Sequence, residues 1–297
     1  MADKHILHML SPLKHVSPFD VNMALDAGFD AVVPYEAVEA HDVTGLVQDA
    51  IFSRPPKLGP RTGIFIGGRN AIAALDMIEA AKQAMVPPFA ASIFADPAGS
   101  FTTAAAMVAR VERVLKQQGH HLRDSRVVIF GATGVVGFAS GVIAALEGAR
   151  VTLAGHDGPK RVAQSAEEIG KRFKVTMHAA DASSEERKGA VLREAEIALC
   201  AGKAGVQILS TALLRGAPGL RVVADVNAVP PLGVEGLDVH ADGPPVGNGG
   251  PAGIGALAIG QTKYRTEFGL FRRMIESDKP VAFDFRDAFA LARELAA

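Results

Sequence analysis

The segment VVIFGATGVVGFASGVIAAL, residues 127–146, carries no charged side chain and has glycines at positions 131, 134 and 137. Its first four residues are a β-branched and aromatic run with the length of a buried strand. Phe138 to Leu146 have helical spacing, Gly148 is suited to end that helix, and a second apolar run follows at 151–154. This order predicts a strand, a glycine turn, a helix and a strand, rather than a membrane span.

The glycine turn favours a dinucleotide-binding function. In a βαβ unit such glycines permit a sharp turn, close approach to a pyrophosphate and close packing of helix on sheet, while the helix N-terminus offers N–H donors to phosphate. The spacing is G-x-x-G-x-x-G, with Ala132 where the common fingerprint has its middle glycine. The predicted cofactor residues in the turn are Gly131, Ala132, Thr133, Gly134, Val135, Val136 and Gly137.

Composition indicates a soluble globular protein. The chain has 297 residues, of which 48% are hydrophobic and 21% charged, enough for two α/β domains. A formal net charge of -1 and scattered cations argue against nucleic acid or an anionic membrane as partner and favour a small molecule. Cys200 is the single cysteine, so no intrachain disulfide forms, and the first residues lack the apolar core of a secretory signal. We therefore expect a cytoplasmic location.

Strand-like and helix-like segments alternate along the chain. This alternation predicts an α/β fold with two domains, a Rossmann-type doubly wound parallel sheet domain and an α/β substrate domain. The Pro/Gly-rich stretch 243–255 is expected to be loop. The predicted strands are Ile6 to Leu10, Ala31 to Val33, Gly63 to Ile66, Phe89 to Phe94, Val127 to Phe130, Val151 to Ala154, Val175 to Met177, Ile197 to Ala201 and Val222 to Asp225.

The Ala-rich segment from Phe101 to Gln118 is predicted to be a helix that connects the domains. The substrate domain then covers residues 1–118 and the Rossmann domain residues 119–276. Further helices are predicted at 261–275 and 285–297, and a C-terminal helix within 277–297 is expected to return to the first domain.

Residues after the second strand of the Rossmann unit bear on the choice between NAD and NADP. An acidic side chain there accepts from the ribose hydroxyl, whereas a cation pairs with a 2′-phosphate. Asp157 suits the first role; Lys160 or Arg161, assisted by His156, suits the second. The alternative is that Asp157 caps the next helix and the two cations are solvated.

Residues after two later strands complete the predicted cofactor site. They are Ala201, Gly202, Lys203 and Asn227, with Asn227 expected near the nicotinamide ring. An equally ordinary role for Asn227 is to stabilise the turn before Pro230 and Pro231.

Several motifs together resemble one family over almost the whole chain. They are FDVN near the start, DPAGSFTTAAA at 96–106, GATGVVG at 131–137, GKAGV at 202–206, VADVNAVPPLGVEGLD at 223–238 and GIGALAIGQTK at 253–263. They resemble the bacterial NAD(P)-dependent methylene-tetrahydromethanopterin dehydrogenases of one-carbon metabolism. The resemblance implies oxidation of N5,N10-methylene-tetrahydromethanopterin to the methenyl form in formaldehyde oxidation, with NADP or NAD as hydride acceptor, a pterin site between two domains, and a homotrimer or homohexamer.

This reaction requires little acid-base machinery. The carbon that loses hydride lies between two nitrogens whose lone pairs delocalise the developing cation, so catalysis depends on holding donor and acceptor aligned. The nine histidines show no metal-ligand spacing, and no metal is expected.

The resemblance also implies the pterin-binding residues. Lys263, expected near the start of a helix, would hydrogen-bond the pterin, and Asp20 would bind its amino-pyrimidinone edge; these two are the predicted catalytic residues. The alternative for Asp20 is to cap a helix that begins at Val21. The full predicted substrate set is Ser17, Phe19, Asp20, Ser100, Thr102, Thr103 and Lys263. The alternative for the hydroxyls of Ser100, Thr102 and Thr103 is to cap the long helix, and the two roles are compatible.

Two other functions remain open from the sequence. The physiological pterin is tetrahydrofolate in one of them. In the other, the chain is a sensor that binds NADP(H) without catalysis.

Overall fold

The computed structural model describes residues 3–297, which divide into two compact units. The first unit contains the chain up to Thr102 together with Tyr264–Leu291, and the second contains Thr103–Lys263 together with Ala292–Ala297. None of the helices described is long and apolar enough to cross a bilayer.

The first unit is built on a five-stranded parallel sheet. Its strand order is β12-β4-β3-β1-β2. The second strand therefore lies on one side of the first, and the later strands lie on the other side. The strands are β1 (Ile6–Leu10), β2 (Ala31–Tyr35), β3 (Thr62–Ile66), β4 (Ser92–Ala95) and β12 (Ala282–Phe283), and the first helices are α1 (Pro18–Ala27), α2 (Val43–Phe52) and α3 (Ala71–Gln83).

Aromatic side chains form the core of this unit. The ring of Phe271 lies 5.1 Å from that of Phe94, 5.5 Å from that of Phe65 and 6.1 Å from that of Phe29, measured between centroids. Phe65, Phe94 and Phe271 are fully buried. Because Phe271 belongs to the late helix α9 (Ala256–Glu276), this packing brings the second half of that helix into the first unit.

The second unit contains a seven-stranded sheet in Rossmann order. The order is β10-β11-β9-β8-β5-β6-β7, and all neighbours are parallel except the edge pair β10 and β11. The strands are β5 (Arg126–Phe130), β6 (Arg150–Gly155), β7 (Met177–Asp181), β8 (Ile197–Cys200), β9 (Val222–Asp225), β10 (Asp242–Pro245) and β11 (Ala252–Ile254). The α/β fold with a doubly wound parallel sheet is confirmed.

Six helices complete the chain. They are α4 (Ser100–Gln117), α5 (Val135–Leu146), α6 (Lys160–Phe173), α7 (Glu185–Arg193), α8 (Thr211–Arg215) and, after α9, α10 (Phe285–Ala296). Within the second unit, Arg293 near the end of α10 donates to Glu112 of α4 at 2.7 Å and to Glu147 at 2.5 Å. This ion-pair cluster anchors the last residues of the chain.

The units divide the chain at other residues than the predicted boundaries of 118 and 276. The division falls inside α4, α9 and α10, because each of these helices contributes residues to both units. In α4, Arg110 and Arg113 both pair with Asp242 of the second unit. The C-terminal segment that belongs to the first unit begins at Tyr264, earlier than the predicted residue 277, and ends at Leu291.

The expectation of loop at 243–255 is wrong for residues 243–245 and 252–254, whereas 246–251 lie outside any strand or helix. β10 and β11 both lie within or across this stretch, and β11 continues the sheet beside β9. Pro244 and Pro245 belong to the edge strand β10, where a missing N–H costs little. Two predicted strands also begin too early: β7 starts at Met177 and β4 at Ser92.

Candidate functional site

The glycine turn lies where the strand order of the second unit reverses. Gly131 follows β5 and Ala201 follows β8, the two neighbouring strands from which the chain proceeds in opposite directions. Gly131 has φ of 76°, and a Cβ there would stand 2.3 Å from the carbonyl oxygen of Ala201. Ligands of doubly wound sheets bind outside the carboxyl ends of the strands at this reversal point.

Glycine is also required at the third position of the motif. A Cβ on Gly137 would lie 2.4 Å from the carbonyl oxygen of Gly131, so only glycine lets helix α5 pack this closely on the turn. Gly134 is different, since its Cβ would have its nearest contact at 3.3 Å. The first and third glycines therefore shape the turn.

The N-terminus of α5 provides positive electrostatic potential beside the glycine turn. Gly134 is its N-cap residue, and no side chain caps the helix. The first N–H groups of a helix lack intrahelical acceptors and carry partial positive charge, which favours an anion. The glycine turn at residues 131–137, here called the glycine cradle, has no room for a Cβ at Gly131 or Gly137 and faces the uncapped end of α5. This arrangement fits the pyrophosphate of a dinucleotide.

The residues after β6 form a tight turn with an ion pair. A Cβ on Gly155 would stand 2.0 Å from the carbonyl oxygen of Gly158, so the turn needs glycine. Arg161 donates a 3.0 Å hydrogen bond to Asp157 and lowers the pKa of that carboxyl below its usual value. Pro159 is the N-cap residue of α6, so the alternative that Asp157 caps this helix is wrong. His156 and Lys160 are exposed in the same turn.

Asn227 has a structural role in the loop after β9. Its side-chain oxygen accepts from the backbone N–H of Val229 at 2.8 Å and of Gly205 at 3.3 Å, and its amide nitrogen donates to the carbonyl of Pro231 at 3.0 Å. The turn-stabilising alternative is therefore confirmed. A contact with the nicotinamide ring stays a prediction, as do the cofactor contacts of Ala201, Gly202 and Lys203.

Asp225, at the end of β9, is a buried carboxyl that the sequence did not single out. It accepts from the N–H groups of Asn227 at 3.0 Å and Val234 at 3.1 Å. Burial raises its pKa, although backbone hydrogen bonds oppose the rise. It lies beside Cys200 in the sheet register, and burial, followed by the charge of Asp225, raises the pKa of the Cys200 thiol. Cys200 is fully buried.

In the first unit, α1 starts earlier than predicted. Ser17 is its N-cap residue, accepting from the N–H of Asp20 at 3.4 Å, and Pro18 occupies the first helical position. The alternative that Asp20 caps a helix starting at Val21 is therefore wrong. Asp20 lies in the first turn with only 4% of its surface exposed.

An aromatic pair lies next to Asp20 and Lys263 in the sequence. Phe19 and Tyr264 meet edge to face with centroids 6.5 Å apart, and both are about half exposed, at 47% each. Half-exposed aromatic rings are suited to stacking on a planar ligand. The sequence did not single out Tyr264, because no neighbouring residue indicates that its ring contacts a ligand.

The cap of α4 comes from a residue that the sequence did not assign to it. Asp96 Oδ1 accepts from the N–H groups of Phe101 at 2.8 Å and Thr102 at 3.2 Å, and the Thr102 hydroxyl donates to Asp96 Oδ2. Asp96 and Thr102 are fully buried and Ser100 nearly so, whereas Thr103 is half-buried. An Asp at the end of a strand and just before a helix is a signal for such a cap.

Lys263 lies in the interior of α9, not near its start. The helix begins at Ala256, directly after Gly255, where a Cβ would be 2.2 Å from the carbonyl oxygen of Asp238. Lys263 is half-buried and belongs to the second unit with Thr103. The other predicted substrate residues, Ser17, Phe19, Asp20, Ser100 and Thr102, belong to the first unit.

A parallel sheet in Rossmann order, with a glycine cradle at its reversal point, defines a dinucleotide-binding α/β protein. The NAD(P)-dependent methylenetetrahydromethanopterin dehydrogenase of Methylorubrum extorquens is 53% identical over 294 residues, which cover 99% of each chain. The family model for the N-terminal part of methylene-tetrahydromethanopterin dehydrogenase matches residues 18–98. This chain belongs to that dehydrogenase family.

One further relative and one solved structure are similar to this chain. Bifunctional protein MdtA of the same organism is 35% identical over 280 residues, covering 94% of this chain and 95% of its own. The crystal structure of 5-ketofructose reductase of Gluconobacter sp. strain CHM43 superposes with a TM-score of 0.51 at 16% identity, over 99% of both chains. The second likeness concerns the fold alone.

Proposed function

We propose that this protein transfers a hydride from N5,N10-methylenetetrahydromethanopterin to NAD(P)+ and releases the methenyl form, in the oxidation of formaldehyde. The observation that carries the proposal is the glycine cradle at the reversal point of a Rossmann sheet, in a chain 53% identical to a dehydrogenase of this name. NAD(P)+ supplies the hydride acceptor at its nicotinamide ring.

The protein's own contribution is positioning. Oxidation of the methylene carbon leaves a cation that the two flanking nitrogens stabilise, so no base has to remove a proton from carbon. Gly131 and Gly137 permit the tight turn that brings the α5 N-terminus to the end of β5, and that N-terminus attracts the charge of the pyrophosphate. What remains for the pterin residues is to hold the ring in line with the acceptor.

Four side chains are proposed to hold the pterin. The Asp20 carboxyl and the Lys263 ammonium are assigned to its polar edge, as the family resemblance implies. Phe19 offers an aromatic surface beside Asp20, and its edge-to-face partner Tyr264 extends that surface. A buried carboxyl together with an exposed ring suits a planar heterocycle with hydrogen-bonding edges.

The test is an assay of the purified protein with methylenetetrahydromethanopterin or methylenetetrahydrofolate, each with NAD+ or NADP+. Methenyl-pterin and reduced nicotinamide absorbance are followed together. Turnover with the methanopterin derivative is expected with both cofactors. Turnover with the folate alone would replace the proposed substrate, and binding of NADP(H) without any turnover would identify a sensor.

The homotrimer or homohexamer that the family resemblance implies stays a prediction. Sedimentation velocity of the purified protein checks it directly, since a trimer and a hexamer of a 31.0 kDa chain differ twofold in mass.

A further inference from the structure

A cavity of about 580 Å³ lies in the second unit, at the opposite edge of the sheet from the glycine cradle. Its walls come from α8, from the segment 217–220 and from the loop 246–251 that joins β10 to β11. The segment precedes β9 and the loop precedes β11, so the cavity stands at the amino ends of these parallel strands. The glycine cradle follows the carboxyl end of β5, which runs in the same direction.

The buried part of the cavity lining is apolar. Its members carry no polar side-chain atom: Leu214, Ala217, Leu220, Val246 and Pro251. The volume falls within the range of roughly 300–1,000 Å³ that is common for sites of small molecules. The cavity therefore has room and apolar surface for the body of such a molecule.

Arg215, the last residue of α8, is the one charged side chain among the described lining residues. It is exposed and forms no hydrogen bond or ion pair within residues 3–297. Glu235 accepts instead from Thr211, at 2.7 Å from the backbone N–H and 3.1 Å from the hydroxyl. These bonds, followed by the charge of Arg215, lower the pKa of Glu235. The guanidinium thus keeps all its donors for a ligand.

The glycine-rich loop brings further donors to the cavity. Within the described chain, the backbone N–H groups of residues 247–250 have no hydrogen-bond acceptor. Gly247 and Gly249 have φ of 66° and 72°, and a Cβ on either would meet no atom within 4 Å. Glycine is therefore needed here for the backbone conformation and not for packing, and the space beside the loop is open. Successive N–H groups in turns of this kind form concave sites for anions.

We propose that this cavity binds a small molecule that carries an oxyanion, a phosphate monoester or a carboxylate, on an apolar body. The planar guanidinium of Arg215 is suited to two parallel hydrogen bonds with such a group. The N–H groups of the loop serve its other oxygens, and the buried side chains contact the body. This site is separate from the glycine cradle and does not depend on the proposed reaction.

The test measures binding by isothermal titration calorimetry in a buffer without phosphate. The probes are phenyl phosphate, benzoate and phenol, which share a ring and differ in charge. Both anions are expected to bind the wild type, and phenol is expected to bind at least about tenfold more weakly. Addition of NAD+ should leave the affinity for the anions unchanged, because the two sites lie at opposite edges of the sheet.

Two variants assign the binding to this cavity. Arg215→Ala is expected to weaken both anions roughly tenfold to hundredfold. Asn248→Asp keeps the shape of the loop residue and adds a negative charge, so it should weaken them as well. Both residues are exposed and have no hydrogen-bond partner in the described chain, so the unfolding midpoints should match the wild type.

Arg193→Ala is the matched control. Arg193 is an exposed arginine of α7 in the same unit and does not line the cavity. Its removal should leave the affinity for phenyl phosphate within about twofold of the wild type.

Several results would overturn the proposed site. They are the absence of anion binding to the wild type, equal affinity in wild type and Arg215→Ala, phenol binding as tight as that of the anions, and loss of anion binding on addition of NAD+. The ratio of the affinities for phenyl phosphate and benzoate identifies the preferred oxyanion, and either preference upholds the site when Arg215→Ala removes it.

Discussion

The Thr102 hydroxyl donates a 2.5 Å hydrogen bond to Asp96 Oδ2 in the interior of the first unit. Both residues are fully buried, and the other carboxylate oxygen of Asp96 caps α4. A buried acceptor that loses a donor keeps its desolvation cost without the compensating bond.

Thr102→Val is therefore expected to destabilise the fold by about 1–3 kcal/mol, since the change keeps the shape of the side chain and removes the hydroxyl. The midpoint of urea or thermal unfolding measures this. Thr102→Ser retains the hydroxyl and should fall between Val and wild type. Equal unfolding midpoints for Val and wild type would contradict the assigned bond.

The glycine cradle predicts a sharp difference between two glycines of one helix. Gly137→Ala places a Cβ 2.4 Å from a backbone oxygen, whereas Gly141→Ala has its nearest contact, with Leu153, at 3.4 Å. Overpacking against the backbone is expected to cost about 1–3 kcal/mol and to shift the turn. Calorimetry should show weakened NAD(P) binding for Gly137→Ala alone; equal binding by both variants would remove the cradle from the cofactor site.

Lys263→Ala is expected to lower kcat/KM for the pterin roughly tenfold to thousandfold, because the substrate loses a positioning contact. Cofactor binding should stay at the wild-type value. Arg265→Ala, an exposed cation on the same helix, serves as control and should retain activity. Unchanged kcat/KM for Lys263→Ala would exclude this lysine from the site.

Tyr264→Ala is expected to raise KM for the pterin roughly threefold to tenfold, the size of one aromatic contact. Tyr264→Phe keeps the ring and its edge-to-face contact with Phe19, so its KM should match that of the wild type. A similar rise in KM for Phe would assign the effect to the hydroxyl instead of the ring. Initial rates at varied pterin concentration distinguish these results.

The raised pKa of Asp225 predicts that the difference in stability between wild type and Asp225→Asn depends on pH. Its pKa in the fold is raised by burial above the ordinary value of 3.8. The stability that the bound proton contributes is fully present below pH 3.8 and is lost as pH rises through the folded pKa. Asp225→Asn lacks this titration, so the stability of wild type relative to the variant should fall with rising pH and then level off.

Urea unfolding of both proteins between about pH 4 and about pH 8 checks this prediction. The difference between their unfolding free energies is the relevant quantity, because other titrating groups cancel in it. A difference that stays constant or grows with pH would contradict a raised pKa for Asp225.

The sequence predicted the buried strands of both units well. β1 and β9 have the predicted limits, Ile6–Leu10 and Val222–Asp225, because short and mostly apolar runs are typical of strands in parallel sheets. The stretch 243–255 was misjudged, because glycine and proline usually indicate loops. Its strands exist because β11 pairs with β9, a contact between segments distant in the sequence.

Site residues were predicted where a motif carries its own geometry. The glycine spacing alone indicated a phosphate turn, and Gly131 and Gly137 do have backbone contacts that exclude any Cβ. Asp96 was not recognised although its position before a helix is a local signal for a cap, whereas the contact of Tyr264 depends on a partner that folding supplies. The aromatic contact of Tyr264 with Phe19, for example, joins α9 to α1.

The sequence by itself determined the class of fold, the dinucleotide turn and the family, since these rest on local periodicity and on motifs within a few residues. Tertiary structure alone decided that β11 joins the sheet beside β9 and that two arginine–aspartate pairs, Arg161 with Asp157 and Arg187 with Asp181, stand at the ends of adjacent strands. The physical reason is the range of the interactions. Helical and strand periodicity acts between neighbours in the chain, whereas the Gly155 and Asp181 register joins strands that only the folded sheet brings together.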